Sequence, residues 1–272
     1  MIVREVLQRS ATWLSKKGLD SARLEAELLL AHVLGTERLG LYTGAERRLD
    51  EGELDAYRAL LRRRVDGEPV AYLTGRREFY GLELAITRDV LVPRPETELL
   101  VDRARELQPS RILDLGTGSG CVAIACAKQL PDAAVTATDV SEAALEVAAQ
   151  NAARLGVADR IRFLPGDLFA PLAEGERFDL ILSNPPYVPD GQAAAVAAHE
   201  PHLALYAGTS GLDVIERVLA AAAGHLSDGG TLLVEIGEDQ ETAVRERAAT
   251  HFGVVEVRPD LQRQPRVLEA RA

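Results

Sequence analysis

Apolar positions in the first 75 residues recur at helical spacing between breakers. From Asp20 to Gly35, the residues Leu24, Leu28, Ala31 and Leu34 fall on one face, with Asp20 as N-cap and Gly35 as the stop. A second helix follows Leu49-Asp50 and carries Leu54, Tyr57, Leu61 and Val65 towards Gly67. Short helices with narrow apolar stripes become stable by packing on one another, so residues 1–75 are expected to form a small helical bundle. The period then changes. Phe79, Tyr80, Leu82, Leu84 and Ile86, followed by Val90 and Val92, sit near two-residue spacing around a Thr87-Arg88-Asp89 turn, predicting a β-hairpin linker over residues 76–93. Pro93 and Pro95 stiffen the chain, and Glu96-Thr97-Glu98 opens a helix.

From Arg111 onward, short apolar runs alternate with helical patterns. The runs are 112–115, 134–138, 161–164, 180–183 and 232–236. Alternation at this spacing specifies an α/β region over residues 94–272, built on a doubly wound, mostly parallel sheet with helices on both faces. The alanine-rich stretches 193–198 and 220–223 read most simply as helix.

Composition fits this plan: 47% hydrophobic and 27% charged residues suit a soluble globular chain, and 4% aromatics leave the cores to aliphatic packing. Trp13 is assigned to a core, and Arg62-Arg63-Arg64 to a solvated helix face. No apolar run is long enough for a membrane span or a secretory signal, so no membrane partner and a cytoplasmic location are expected. Cys121 and Cys126 lie five apart in a helical pattern, which suits neither a zinc site nor a disulfide framework. Charge is uneven. Residues 1–77 hold 14 Lys and Arg against 12 Asp and Glu, net +2, whereas the rest holds 17 against 30, net −13, of a total of −11. An acidic larger part is poorly suited to gripping nucleic acid, because Lys and Arg supply most non-specific affinity for phosphates.

Two motifs carry chemistry. Asp114-Leu115-Gly116-Thr117-Gly118-Ser119-Gly120 ends the first strand of the alternating region and opens its first helix. Glycines there let the backbone approach a ligand. A pyrophosphate-binding loop would show G-x-G-x-x-G, but here Cys occupies position 121 and glycine returns at 120, which favours a cofactor without a pyrophosphate, such as an adenosyl sulfonium. Asp139 closes the second strand, where an acid is expected to accept ribose hydroxyls, and Ser141 is available to cap the following helix. Gly166-Asp167-Leu168-Phe169 follows the third strand and should border an adenine, with Asp167 holding its amine and Leu168 or Phe169 covering the ring.

Ser183-Asn184-Pro185-Pro186-Tyr187 follows the fourth strand. Successive prolines remove two backbone donors and fix two φ angles, making a rigid loop whose carbonyls can only accept. An NH2 conjugated to a carbonyl or aromatic ring is a weak nucleophile because its lone pair is delocalised. The Asn184 side-chain oxygen and the Pro185 carbonyl can hold its two hydrogens, and Tyr187 can pack on the planar group, aligning the nitrogen for in-line attack. No metal is called for.

With both motifs in place, the chain resembles the HemK/PrmC family of protein-glutamine methyltransferases. The resemblance covers nearly the whole chain: the N-terminal bundle, Glu78-Phe79-Tyr80-Gly81, Val92-Pro93-Arg94-Pro95-Glu96-Thr97-Glu98, residues 114–120 and 184–187, Glu200-Pro201, Gly211-Leu212-Asp213, and Glu235-Ile236-Gly237. It implies a Rossmann-like class I fold that uses S-adenosylmethionine, with cofactor contacts at Gly116, Thr117, Gly118, Ser119, Gly120, Asp139, Asp167, Leu168 and Asn184. The reaction would take place at Asn184, Pro185, Pro186 and Tyr187. It also implies a peptide chain release factor as partner, methylated on the glutamine of a Gly-Gly-Gln loop, with residues 1–75 recognising it. A monomer without stable nucleic-acid binding is expected. The alternatives are a ribosomal protein glutamine and, because Asn-Pro-Pro-Tyr also occurs there, a DNA adenine methyltransferase. His199 and His202 flank Glu200-Pro201; the proline breaks their register, so a lip beside the site is expected rather than zinc. His32, His225 and His251 stand singly.

Overall fold

The computed structural model describes residues 1–192 and 198–271, which form two compact units, one over Met1–Arg76 and one from Arg77 onward. In the first, α1 (Val3–Lys16), α2 (Ala22–Val33), α3 (Arg38–Thr43), α4 (Glu51–Val65) and α5 (Val70–Thr74) enclose a core containing Leu14, Leu29, Leu30, Leu41 and Tyr57. The start of α4 is set by a capping box: Asp50 accepts from the Glu53 amide at 2.8 Å, and Glu53 accepts from the Asp50 amide at 3.1 Å.

Three details of the bundle depart from the sequence pattern. The N-cap of α2 is Ser21, not Asp20, and the helix buries Ala22, Ala26, Leu29 and Leu30 while Leu24 is exposed. The leucine stripe is misleading because Glu27 is also buried on that helix, held by Arg23, Arg38 and Tyr42. Trp13 is 38% exposed and not a core residue. Arg63 and Arg64 are paired, with Glu68 and Glu25, so this arginine run is not simply a solvated face.

The hairpin consists of β1 (Arg76–Phe79) and β2 (Leu82–Ala85). Its turn is Tyr80-Gly81, both at positive φ (52° and 71°), the geometry of a tight hairpin turn. The turn at Thr87–Asp89 exists, closed by the Thr87 hydroxyl, but joins no strands: Val90 and Val92 are buried as plain loop. Tyr80 keeps its uncommon conformation because Glu98 accepts its amide at 2.8 Å and Asp102 its hydroxyl at 2.7 Å.

The remaining elements are α6 (Glu98–Leu107), β3 (Arg111–Leu115), α7 (Cys121–Gln129), β4 (Ala134–Asp139), α8 (Glu142–Arg154), β5 (Ile161–Pro165), β6 (Phe178–Ser183), α9 (Asp213–Ala222), β7 (Leu226–Glu235), α10 (Glu241–Ala248), β8 (Val254–Pro259) and β9 (Pro265–Arg271). The seven-stranded sheet has the order β5-β4-β3-β6-β7-β9-β8, parallel throughout except for β9, which runs antiparallel to both neighbours. It is the α/β doubly wound, mostly parallel sheet expected. The pair β8 and β9 has no counterpart in the strand runs read from sequence, because buried Glu269 interrupts the apolar run Val267, Leu268, Ala270. Arg103 takes both its oxygens, at 2.8 and 2.7 Å. The 193–197 part of the expected alanine helix lies outside the described residues, and Ala198 sits in a turn. Residues 220–222 do belong to α9.

α7 is buried from Val122 to Ala127 because it packs on the sheet and is flanked by α6 and α8. The close approach occurs at Gly120, where φ is 80° and a Cβ would meet Ala148 and Ile124 at 3.0 Å. Gly120→Ala should therefore destabilise the protein by roughly 2 to 5 kcal/mol, from left-handed backbone strain plus overpacking. Denaturant unfolding with an unchanged midpoint would show that α7 can move away at no cost.

Candidate active site

Strand β3 lies at the middle of the parallel region, with β4 on one side and β6 on the other. Its last residues therefore open into the crevice where the connections diverge. The loop after β3 is bound to β4: the Gly116 and Thr117 amides both donate to the Thr138 carbonyl, at 2.9 and 3.0 Å. Asp114, 2% exposed, accepts from the Thr117 hydroxyl at 2.6 Å and the Ala123 amide at 3.2 Å, so it is an internal strut between β3 and α7. Burial pushes its carboxyl up to about 6.

Asp139 ends β4 and accepts from the Gly118 amide and the Ser141 amide, each at 2.9 Å. Burial raises its pKa. Ser141, not Asp139, caps α8, accepting from the Ala144 amide at 3.2 Å. A carboxylate offers about four lone-pair directions, so two remain for a ligand diol.

A cavity of about 350 Å³ lies over these strand ends. It is lined by Gly116, Thr117, Gly118, Ser119, Asp139, Asp167, Leu168, Asn184 and Pro186, whereas Gly120, Pro185 and Tyr187 are not on its surface. Four aspartates (89, 114, 139 and 167) line it against a single Arg217, which is ion-paired with Asp167. That balance suits a cationic ligand and disfavours a pyrophosphate. Leu168, at φ 51° with its carbonyl accepting from Thr138, faces the cavity; Phe169 instead enters the core and stacks on His225, ring centroids 4.8 Å apart.

The loop after β6 is held from both sides. Ser183 donates to the Leu115 carbonyl at 3.0 Å, tying the ends of β6 and β3 together. The Asn184 Nδ2 donates to the Thr97 hydroxyl at 3.0 Å. Gln240 Nε2 donates to the carbonyls of Tyr187 at 3.0 Å and Gly211 at 3.3 Å. Gly211 has to be glycine: its φ is 70°, and a Cβ would stand 2.4 Å from the Tyr187 carbonyl. Glu200 accepts from Arg94 at 2.5 Å and from the Val92 amide at 3.2 Å, drawing the Pro-Arg-Pro segment towards the cavity mouth formed in part by Pro201 and Leu203. His202 stacks on Tyr206. Among the described residues no group of three or more His, Cys, Asp or Glu is arranged to hold a metal ion.

Three residues of this site were given no role from the sequence. Thr97 and Gln240 act through hydrogen bonds that only the fold creates. Glu235 was visible as an acid ending an apolar strand run, which is a signal for function. It is 1% exposed, and burial pushes its carboxyl up to about 7, although the nearby Thr97 hydroxyl and Arg266 favour the charged form.

Comparison with known proteins gives the same picture. Residues 5–75 match the PrmC N-terminal domain and residues 95–202 the methyltransferase small domain. A release factor glutamine methyltransferase of Chlorobaculum tepidum is 44% identical over 99% of this chain and 97% of its own length. One from Koribacter versatilis is 41% identical over 100% and 99%. The chain belongs to the release factor glutamine methyltransferase family. In fold it is similar to a Pyrococcus furiosus methyltransferase, with a TM-score of 0.54 and 22% identity over 71% of this chain and 89% of that one. As a member of that family the chain is a methyltransferase.

Glu235 makes a stability prediction. An acid whose folded pKa, about 7, exceeds its ordinary value of 4.5 contributes stability that is full below 4.5 and is lost as pH rises through 7. Glu235→Gln removes this dependence. The unfolding free energy of the variant, relative to wild type, should rise by about 3 kcal/mol between pH 4 and pH 8. A difference that stays flat across that range would mean the carboxyl titrates normally.

Proposed function

We propose that this enzyme transfers a methyl group from S-adenosylmethionine to the side-chain amide nitrogen of the glutamine in a Gly-Gly-Gln loop of a peptide chain release factor. The observation that carries this reading is that Asn184 and Pro186 share one acid-lined cavity with Gly116–Ser119 and Asp139. The relatives named for this activity support the substrate, and their match extends over the N-terminal unit as well as the catalytic one.

The residues present fit that cofactor. Asp139 has lone pairs to spare for the two ribose hydroxyls, Gly116 to Ser119 provide close backbone approach, and Leu168 offers an apolar face to the adenine. When bound, the cofactor supplies an electrophilic methyl on a positively charged sulfur. Carboxylates around the cavity favour that charge in binding.

The chain's task is then to orient the amide. Asn184, on the cavity surface, accepts one amide hydrogen through Oδ1; the Pro185 carbonyl, for the second, and the Tyr187 ring, for the planar group, belong to the same loop but lie off the cavity surface and come into reach only as the substrate enters. The nitrogen gains the methyl as the carbon–sulfur bond breaks, and one amide proton leaves to water. Fixed acceptor dipoles meet the positive charge that develops on nitrogen. Burial holds the Tyr187 hydroxyl up at about 12, so it stays protonated and is not the base. Residues 1–75 supply recognition of the folded substrate, since a Gly-Gly-Gln tripeptide is far too small for a specific interface of about 1,200 Å².

The test offers tritiated cofactor with purified release factor, ribosomal protein and DNA in parallel. Label should enter the release factor glutamine; label in ribosomal protein or DNA alone overturns the substrate assignment. Asn184→Ala should lower turnover on the order of 100- to 1,000-fold. Normal turnover by that variant would remove the two-acceptor arrangement. Asp139→Ala should raise the cofactor dissociation constant roughly 10- to 100-fold, and calorimetry finding no change would remove the ribose role.

A further inference from the structure

An asparagine amide can face a cavity in two ways that differ by a half-turn, and only one of them presents an acceptor. Here Nδ2 donates to Thr97 Oγ1 at 3.0 Å, which leaves Oδ1 for the reacting amide. Thr97 cannot enforce this by itself, because a hydroxyl both donates and accepts. The destination of the hydroxyl proton decides the matter.

Glu235 provides that destination. It ends β7, is 1% exposed, and lies beside the hydroxyls of Thr97 and Tyr187. Its Oε2 is buried without a hydrogen-bond partner. Leaving a buried carboxylate oxygen unsatisfied is costly, and the hydroxyl protons of Thr97 and Tyr187 are the groups at hand to relieve it. The other charged groups facing the carboxyl are Glu96 in the turn before α6 and Arg266 on β9, and Arg266 is committed to Asp260 at 3.3 Å.

A carboxylate only accepts. If Thr97 donates to Glu235, the lone pairs of Thr97 must face Asn184, and Asn184 must answer with its NH2. We infer that Thr97 and Glu235 form a one-way hydrogen-bond relay that holds the Asn184 amide with its oxygen towards the substrate nitrogen. Both are positioning residues, and this role rests on the reading given under Proposed function. A protonated Glu235 carries a donor of its own, so Thr97 is no longer forced to donate and Asn184 is no longer held with its oxygen towards the substrate. Turnover should therefore climb as the carboxyl ionises.

The experiment compares wild type with Thr97→Val, Thr97→Ser, Glu235→Met, Glu235→Gln and the double variant Thr97→Val/Glu235→Met, using cofactor and full-length release factor. Thr97→Val and Glu235→Met should each lower kcat roughly 10- to 100-fold, as loss of a supporting partner behind a functional group does. Release factor KM and cofactor affinity should stay within about threefold, since the loss is in orientation and not in binding. The double variant should be no slower than the slower single variant, because both break one chain. Thr97→Ser should recover turnover. The wild-type rate should rise through pH 7, and Glu235→Gln should lack that step. Multiplicative losses in the double variant, a wild-type rate in Thr97→Val, or an effect confined to KM would overturn the relay. If Glu235→Met melts early, the Thr97→Val and Thr97→Ser pair decides. Failure of wild type to label release factor would overturn the substrate reading itself, and the relay with it.

Discussion

The site depends on one topological constraint: β3 has parallel neighbours on both sides, β4 reached directly through α7 and β6 reached only after the chain has passed through α8 and β5. The connections must part above the end of β3, and what they leave is a crevice bordered by backbone. Each part of the site is then a consequence of how a strand ends. The loop after β3 hangs from the Thr138 carbonyl, Asp139 stands one residue beyond it, and Ser183 pins β6 to Leu115 immediately before Asn184. The Asn-Pro-Pro-Tyr loop and the glycine loop are thereby set to a common level by hydrogen bonds between adjacent strands.

Buried acids divide into two kinds on the same physical ground. Burial pushes Glu27 and Glu269 up, but the Tyr42 hydroxyl with Arg38 and Arg23 on Glu27, and Arg103 and Arg258 on Glu269, bring both below the ordinary carboxylate range. These are clamps between elements. Asp114, Asp139 and Glu235 lack such a direct arginine partner and are raised instead. A protein keeps acids in that condition where their lone pairs are used by something else. Within the sheet, Glu269 is lowered as a clamp between elements, whereas Asp139 and Glu235 at the strand ends over the cavity are raised; Asp114 is raised as well, although its partners Thr117 and Ala123 make it an internal strut.

The legible and illegible parts of the fold divide along similar lines. The strands β3 to β7 stood out because each is a compact, largely apolar run, and β4, β6 and β7 end in the polar residues Asp139, Ser183 and Glu235. Asp139, the glycine loop and Asn184 were identifiable because they lie at strand ends or follow them directly. The α2 face was misread because buried Glu27 hides in a run of leucines, and β9 was overlooked because Glu269 occupies its middle; in both cases arginines distant in sequence make the burial tolerable. The hairpin turn was placed at Thr87 because Tyr80 looks like a strand residue. Its left-handed backbone is imposed by Glu98, eighteen positions away. Thr97 was visible only as part of a helix opening and Gln240 not at all, because the bonds that bring them to the site are made by the fold.

The position of β9 bears on how the chain emerges from the ribosome. β8 is made first, yet its only neighbour in the sheet is β9, which comes later and inserts between β8 and β7. Until residues 265–271 have left the exit tunnel, β7 presents an unpaired edge and β8 has nowhere to dock. Open edges of this kind recruit other strands. The nascent enzyme is thus most exposed to aggregation after its whole cofactor crevice has been synthesised, and a chaperone that shields β7 in that interval would protect a catalytic unit already complete in its chemistry.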